Sequence, residues 1–167
     1  MKKTLLSLLV ILSPFLYGQD ELPRLINLDD QIIYHKGSGY DRGHLAPAAT
    51  FVDSQKEMDE SFYMSNMSPQ DPSFNRGIWK KLENYERRMA MEKDTVYVIC
   101  GGILTDGLKT IGPNKVSVPK FYYKIIYTDT WVMCFLLKNE KSNEPLYIYN
   151  QTLTVIQQHV NIDFNIR

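Results

Sequence analysis

Cysteine is nearly absent from this chain: it has two, Cys100 and Cys134, each inside an apolar run of β type. Neither sits in a Cys-x-x-Cys or Cys/His spacing, so a small zinc site is excluded. A disulfide and a pair of buried thiols both accord with the sequence. Excess charge is absent too. Lys and Arg number 19, as do Asp and Glu, which excludes a protein that coats a polyanion through bulk electrostatics. There is no internal repeat and no low-complexity tract. A chain of 167 residues is long enough for one core and too short for two ordinary domains.

Apolar runs long enough to span a membrane are also missing. Leu5 to Tyr17 falls short of the roughly 20 residues a spanning helix needs, and Pro14 interrupts it. Lys2 and Lys3 precede that run, and small or polar residues around Gly18 follow it. Residues 1–18 therefore read as an export signal, with an uncleaved anchor as the competing reading. No cysteine follows to carry a lipid. The mature chain is expected to be secreted or periplasmic, with no stable membrane partner. Loss of Lys2 and Lys3 leaves 17 basic against 19 acidic side chains. A local cleft that touches a few phosphates remains compatible with that balance.

Beyond the signal, residues 19–39 form an irregular lead-in that ends in a turn at Gly37-Ser38-Gly39. A short extended segment is expected within Tyr40 to Phe51. A buried strand is expected at Ser61 to Ser65, and a loop at Asn66 to Pro72. From Asn75 to about Glu92 the pattern is helical, with Ile78, Leu82, Tyr85 and Met89 on the core-facing stripe. Asn75, Trp79, Glu83 and Arg87 make the neighbouring stripe. Four strands are expected after it: Thr95 to Ile103, Lys115 to Tyr127, Trp131 to Leu137 and Leu146 to Thr154. A helical turn or two from Val155 to Val160 closes the chain.

Several polar residues in this frame could carry chemistry. His44, in Asp41-Arg42-Gly43-His44, is competent as a base near neutral pH. Arg42 and Arg87 offer bidentate contacts to phosphate. Asn75 and Glu83 are hard oxygen donors suited to magnesium, which keeps much of its water. Phosphodiester hydrolysis requires these three elements: a base, positive charge for the phosphorane oxygens, and help for the leaving oxygen. Each residue also has a plainer reading. Glu83 and Arg87 at i,i+4 could be a surface salt bridge, Asn75 a helix cap, His44 a structural histidine, and Asn66 with Ser68 a glycosylation sequon.

The ordered string narrows the choice. Tyr40-Asp41-Arg42-Gly43-His44-Leu45-Ala46-Pro47, Ser65-Asn66-Met67-Ser68-Pro69-Gln70, Phe74-Asn75-Arg76-Gly77-Ile78-Trp79, Leu82-Glu83 and Arg87 together resemble the DNA/RNA non-specific endonuclease family. That family includes the Serratia-type secreted nucleases and mitochondrial endonuclease G. Val118-Pro119-Lys120-Phe121-Tyr122-Tyr123-Lys124 and Ile162-Asp163-Phe164 are similar as well, so the likeness runs from about Tyr40 to the C-terminus.

The resemblance implies an α+β fold: a ββα-metal (His-Me finger) core over residues 40–167, with a mostly antiparallel central sheet flanked by helices. By the same likeness His44 is the general base, and Asn75 is the direct ligand of one magnesium ion, for which manganese substitutes. Glu83 holds that ion through water, Arg42 and Arg87 contact phosphate, and Asn66 orients the site. The substrates would be DNA and RNA, touched at the backbone and cut to 5'-phosphate products. The lead-in is shorter than the family usually carries, which implies an N-terminally shortened sheet with an exposed edge. A homodimer through that edge, or a catalytically weak nucleic-acid-binding remnant, is the alternative this shortening raises.

Overall fold

The computed structural model describes the backbone of residues 5–10 and, with their side chains, residues 37–93 and 95–166. The lead-in up to Lys36 and most of the expected export signal lie outside the described residues. Within that signal, β1 (Leu5–Val10) is a strand.

A small hairpin of β2 (Asp41–His44) and β3 (Met67–Gln70) pairs antiparallel, with Gly43 opposite Ser68 and His44 opposite Met67. Between its strands lies α1 (Gln55–Glu60), capped by Ser54, whose hydroxyl accepts the Glu57 N–H at 3.2 Å. After β3 come a helical turn at Pro72–Phe74, a kinked segment at Asn75–Trp79 and α2 (Lys80–Glu92). β4 (Thr95–Gly102), the short β5 (Thr110–Ile111) and β6 (Val116–Ser117), then β7 (Phe121–Tyr127), β8 (Val132–Lys138) and β9 (Asn150–Gln151) follow. α3 (Leu153–Val160) ends the sequence of elements.

The main sheet has the order β1-β4-β7-β8-β9, antiparallel throughout except for β1, which runs parallel to β4. Strand side chains alternate between its faces. Val96, Val98, Cys100, Tyr122, Ile126, Phe135 and Leu137 form one face and pack on Ile78, Trp79 and Leu82. Ile99, Tyr123, Ile125 and Cys134 form the other and pack on Ile156 of α3. The sheet is thus held between two helices, as expected for an α+β fold. Cys100 and Cys134 point to opposite faces of it, and both are free. Of the two readings, buried thiols is the one the structure adopts.

Three expectations shift. The strand expected at Ser61 to Ser65 is a turn leading into a 3₁₀ helix at Met64–Asn66, and the strand lies instead at Met67–Gln70. Its partner decides this: β3 exists by pairing with β2, and in a two-stranded ribbon Pro69 is tolerated where a central strand would reject it. Leu146 to Thr154 is a 3₁₀ helix at Leu146–Tyr149, two residues of β9 and the start of α3. Thr152 caps that helix through its side chain, accepting the Val155 N–H at 3.3 Å. Lys115 to Tyr127 breaks into β6 and β7 around Pro119.

Candidate active site

The hairpin is fastened to the main sheet by polar side chains. The Tyr122 hydroxyl donates to the Pro69 carbonyl at 2.8 Å and lies 2.7 Å from the Ser68 hydroxyl. The Asn139 amide donates to the carbonyls of Pro69 and Pro119, and its oxygen accepts the Asp71 N–H at 2.8 Å. Inside the hairpin the chains approach so closely that a Cβ on Gly43 would lie 2.1 Å from the buried Gln70 side chain. A larger residue at the third position of the Asp-Arg-Gly-His run would have to displace the Gln70 amide.

Arg42 and His44 share one face of β2, while Asp41 and Gly43 take the other. The His44 ring meets the edge of Phe62 at 4.7 Å between centroids. Its Nε2 is buried without a hydrogen-bond partner. Burial first, and the Arg42 guanidinium second, hold its pKa below the usual 6.5. The imidazole is therefore neutral at pH 7, the form that accepts a proton.

Asn66 is buried and spends its whole amide on backbone. Its oxygen accepts the Ala46 N–H at 2.8 Å, and its nitrogen donates to Ala46 O and Ser61 O at 2.8 and 2.6 Å. It fixes the exit of β2 rather than reaching toward a substrate, and a buried amide in that role is no glycosylation acceptor.

Helix entry follows from Asp71-Pro72. Asp71 accepts the Ser73 and Phe74 N–H groups at 2.8 and 3.3 Å, and Pro72 occupies the first turn, where its missing N–H is harmless. Asp71 is therefore the cap, and Asn75 lies one turn inside. The segment that begins at Asn75 is a kink between two helical stretches, with Gly77 outside helical geometry at φ −104°, ψ −106°. The Asn75 amide nitrogen donates to Asp41 Oδ2 at 2.9 Å, so its carbonyl oxygen is turned away from that partner. Arg76 holds the same Asp41 carboxylate through two bonds of 2.8 and 2.7 Å. Asp41 thus orients Asn75.

One turn into α2, Glu83 is half-buried and not in ion-pair contact with Arg87. Arg87 donates to Asn84 instead, and its Nη1 is buried without a partner. The surface salt bridge is not formed. Burial lifts the Glu83 carboxyl to about 7, with Lys124 the largest opposing charge. A bound cation would reverse that shift. Among the described residues no three His, Cys, Asp or Glu stand together as a metal cage. One amide oxygen plus a carboxylate fits a hard ion that keeps most of its water.

Three residues at this site carry more than the sequence suggested. The Trp79 indole N–H donates to the His44 carbonyl at 3.0 Å, joining the helix start to β2. Behind it, Lys124 of β7 and Glu86 of α2 pair at 2.6 Å, both fully buried. Their signal was available: Lys124 takes an inward position between Tyr122 and Ile126, and Glu86 lies within 20° of Asn75 on an ideal helical wheel of about 100° per residue.

The family profile for DNA/RNA non-specific endonuclease matches residues 27–166. Mitochondrial endonuclease G of Homo sapiens is 41% identical over 102 residues, covering 55% of this chain and 34% of that protein. Nuclease C1 of Cunninghamella echinulata var. echinulata is 35% identical over 147 residues, covering 78% of this chain and 58% of that protein. Among solved structures, a chain of an EndoG/EndoGI complex superposes with a TM-score of 0.73 at 31% identity, covering 79% of this chain and 61% of that one. The chain thus spans about a third to three-fifths of the length of these relatives. With the ββα unit of β2, β3 and α2 in place, the chain belongs to the DNA/RNA non-specific endonuclease family.

Proposed function

We propose that this chain is a magnesium-dependent endonuclease that cuts DNA and RNA without regard to sequence. The observation that carries the reading is a pair of side chains set by one ββα unit: a neutral His44 with an unpartnered, buried Nε2 and an Asn75 whose amide is oriented by Asp41. Asn75 would hold the ion directly and Glu83 through water, and the ion supplies charge compensation at the phosphate and acid for the leaving oxygen. Manganese is expected to substitute.

His44 Nε2 takes the proton of the attacking water. Arg42, beside His44 on the same strand face, and Arg87, with its unpartnered Nη1, neutralise the phosphate oxygens as charge builds on them. Cleavage of the bond between phosphorus and the 3' oxygen leaves a 5'-phosphate and a 3'-hydroxyl. Contacts confined to phosphate carry no base information, which accounts for indifference to sequence.

Purified protein is expected to nick plasmid DNA and degrade RNA with magnesium, and to stop on addition of EDTA. Binding of nucleic acid without cleavage would replace this reading with that of a catalytically weak binding protein. Cleavage undiminished in EDTA would remove the metal from it.

We further propose export to the periplasm or the medium, on the strength of the Lys2-Lys3 and Leu5 to Tyr17 pattern. Cleavage near Gly18 would remove β1 and open the edge of β4, the place where a second copy could pair. Mass spectrometry of the protein from its host is expected to find an N-terminus near Gln19 in the exported fraction. Recovery of the chain with Met1 intact in the cytosol would sink the proposal.

A further inference from the structure

Beneath the site lies a charged pair that the chemistry above leaves unused. Lys124 and Glu86 are both fully withdrawn from solvent, with the ammonium 2.6 Å from the carboxylate. As a source of stability such a pair is poor, because desolvation cancels most of the attraction and well-packed apolar replacements are often as stable. Burial is the largest single influence and works against the ammonium, but Glu86, Cys100 and Glu83 together outweigh it and hold the Lys124 pKa above the usual lysine value. The charge is therefore kept.

Its surroundings suggest a use. An ammonium has three donors, and here one goes to Glu86 and another to the Leu45 carbonyl at 3.4 Å. The same Nζ lies 4.6 Å from the centroid of the Trp79 ring. Trp79 holds the carbonyl of His44, and Cys100 donates its thiol to the carbonyl of Leu45 at 3.3 Å. Two successive carbonyls at the end of β2 are gripped, one from the helix and one from the sheet. Lys124 touches both grips.

We propose that Lys124 is a positioning residue for the reaction: through the Leu45 carbonyl, the Trp79 ring and Glu86 it fixes the strand that bears His44 to the helix that bears Glu83. It never meets the substrate. A methionine or leucine would fill the same volume but has no N–H to hold the strand. A planar guanidinium has a different donor geometry from an ammonium. The proposal rests on His44 being the base, and its test includes a readout that needs no activity.

Lys124→Met alone strands the Glu86 carboxylate and is expected to unfold the protein. Lys124→Met with Glu86→Leu leaves an apolar pair and is expected to melt at or above the wild-type temperature. In that double variant kcat on plasmid DNA should fall about tenfold or more while KM changes less than about twofold, as expected for a displaced base. The indole N–H resonance of Trp79 should move in the same protein. Trp131→Phe identifies that resonance, since the chain has two tryptophans.

A stable double variant with wild-type kcat and an unmoved indole resonance would overturn the proposal. If wild type itself proves inactive, the nuclease reading fails and the resonance alone decides whether Lys124 holds the strand. If the double variant does not fold, hydrogen exchange in wild type decides. The Trp79 indole and the Leu45 and Ala46 amides should exchange only with global unfolding, and fast local exchange there would refute a fixed strand.

Discussion

His44→Ala is expected to lower plasmid cleavage at neutral pH by about a hundredfold to ten-thousandfold, the range that a positioned general base supplies. The fold should survive, because the Trp79 indole holds the backbone carbonyl of residue 44, which alanine keeps, and only the ring's packing on Phe62 is lost. Equal melting temperatures for variant and wild type would separate lost chemistry from lost structure. Undiminished cleavage would remove His44 from the mechanism. In wild type the acid limb of kcat/KM should fall below pH 6.5, since burial and Arg42 hold the imidazole pKa below that value. As pH falls through 6.5 the unfolded chain takes up a proton that folded His44 refuses, so the folded state weakens, and the weakening continues until the folded pKa is passed. His44→Ala should flatten that part of the stability profile in urea titrations.

Legibility from sequence followed the strength of local pattern. The helical segment from Asn75 to Glu92 was readable because Ile78 and Leu82 recur at helical spacing, and both are essentially inaccessible to solvent. β4, β7 and β8 were readable as apolar runs of β type. β3 was not, since Met67-Ser68-Pro69-Gln70 has little intrinsic preference for a strand and becomes one by pairing with Asp41 to His44 and by hanging on Tyr122. The residues of the proposed site were readable as a spacing of letters, but their constraints were not. No local rule says that Asp41 reaches Asn75 across 34 positions of sequence. Nor does one say that Asn66 spends its amide on Ala46 and Ser61, or that a lysine in a β run finds its carboxylate on a helix. Such partners are set by tertiary closeness. The charged residue at a buried strand position was the one visible sign of them.

Asn75→Ala is expected to raise the magnesium concentration needed for half-maximal cleavage by about a hundredfold or more. Asp41 holds the Asn75 amide nitrogen at 2.9 Å and is itself held by Arg76 at 2.8 and 2.7 Å. Losing an orienting partner of a ligand typically costs about 10- to 100-fold in metal affinity. Asp41→Ala should fall in that band, and loss of the ligand atom should cost at least as much. Asn75→Asp separates charge from geometry. It restores an oxygen donor but sets a second carboxylate beside Asp41, and two carboxylates so close raise each other's pKa. Magnesium must then compete with a proton, so this variant should recover activity as pH rises while Asn75→Ala does not. Magnesium titrations of the cleavage rate at several pH values, with calorimetry on the metal alone, measure both. An unchanged magnesium midpoint in Asn75→Ala would show that the ion, if it binds, is held by other groups, and the pairing of His44 as base with Asn75 as ligand would have to be abandoned.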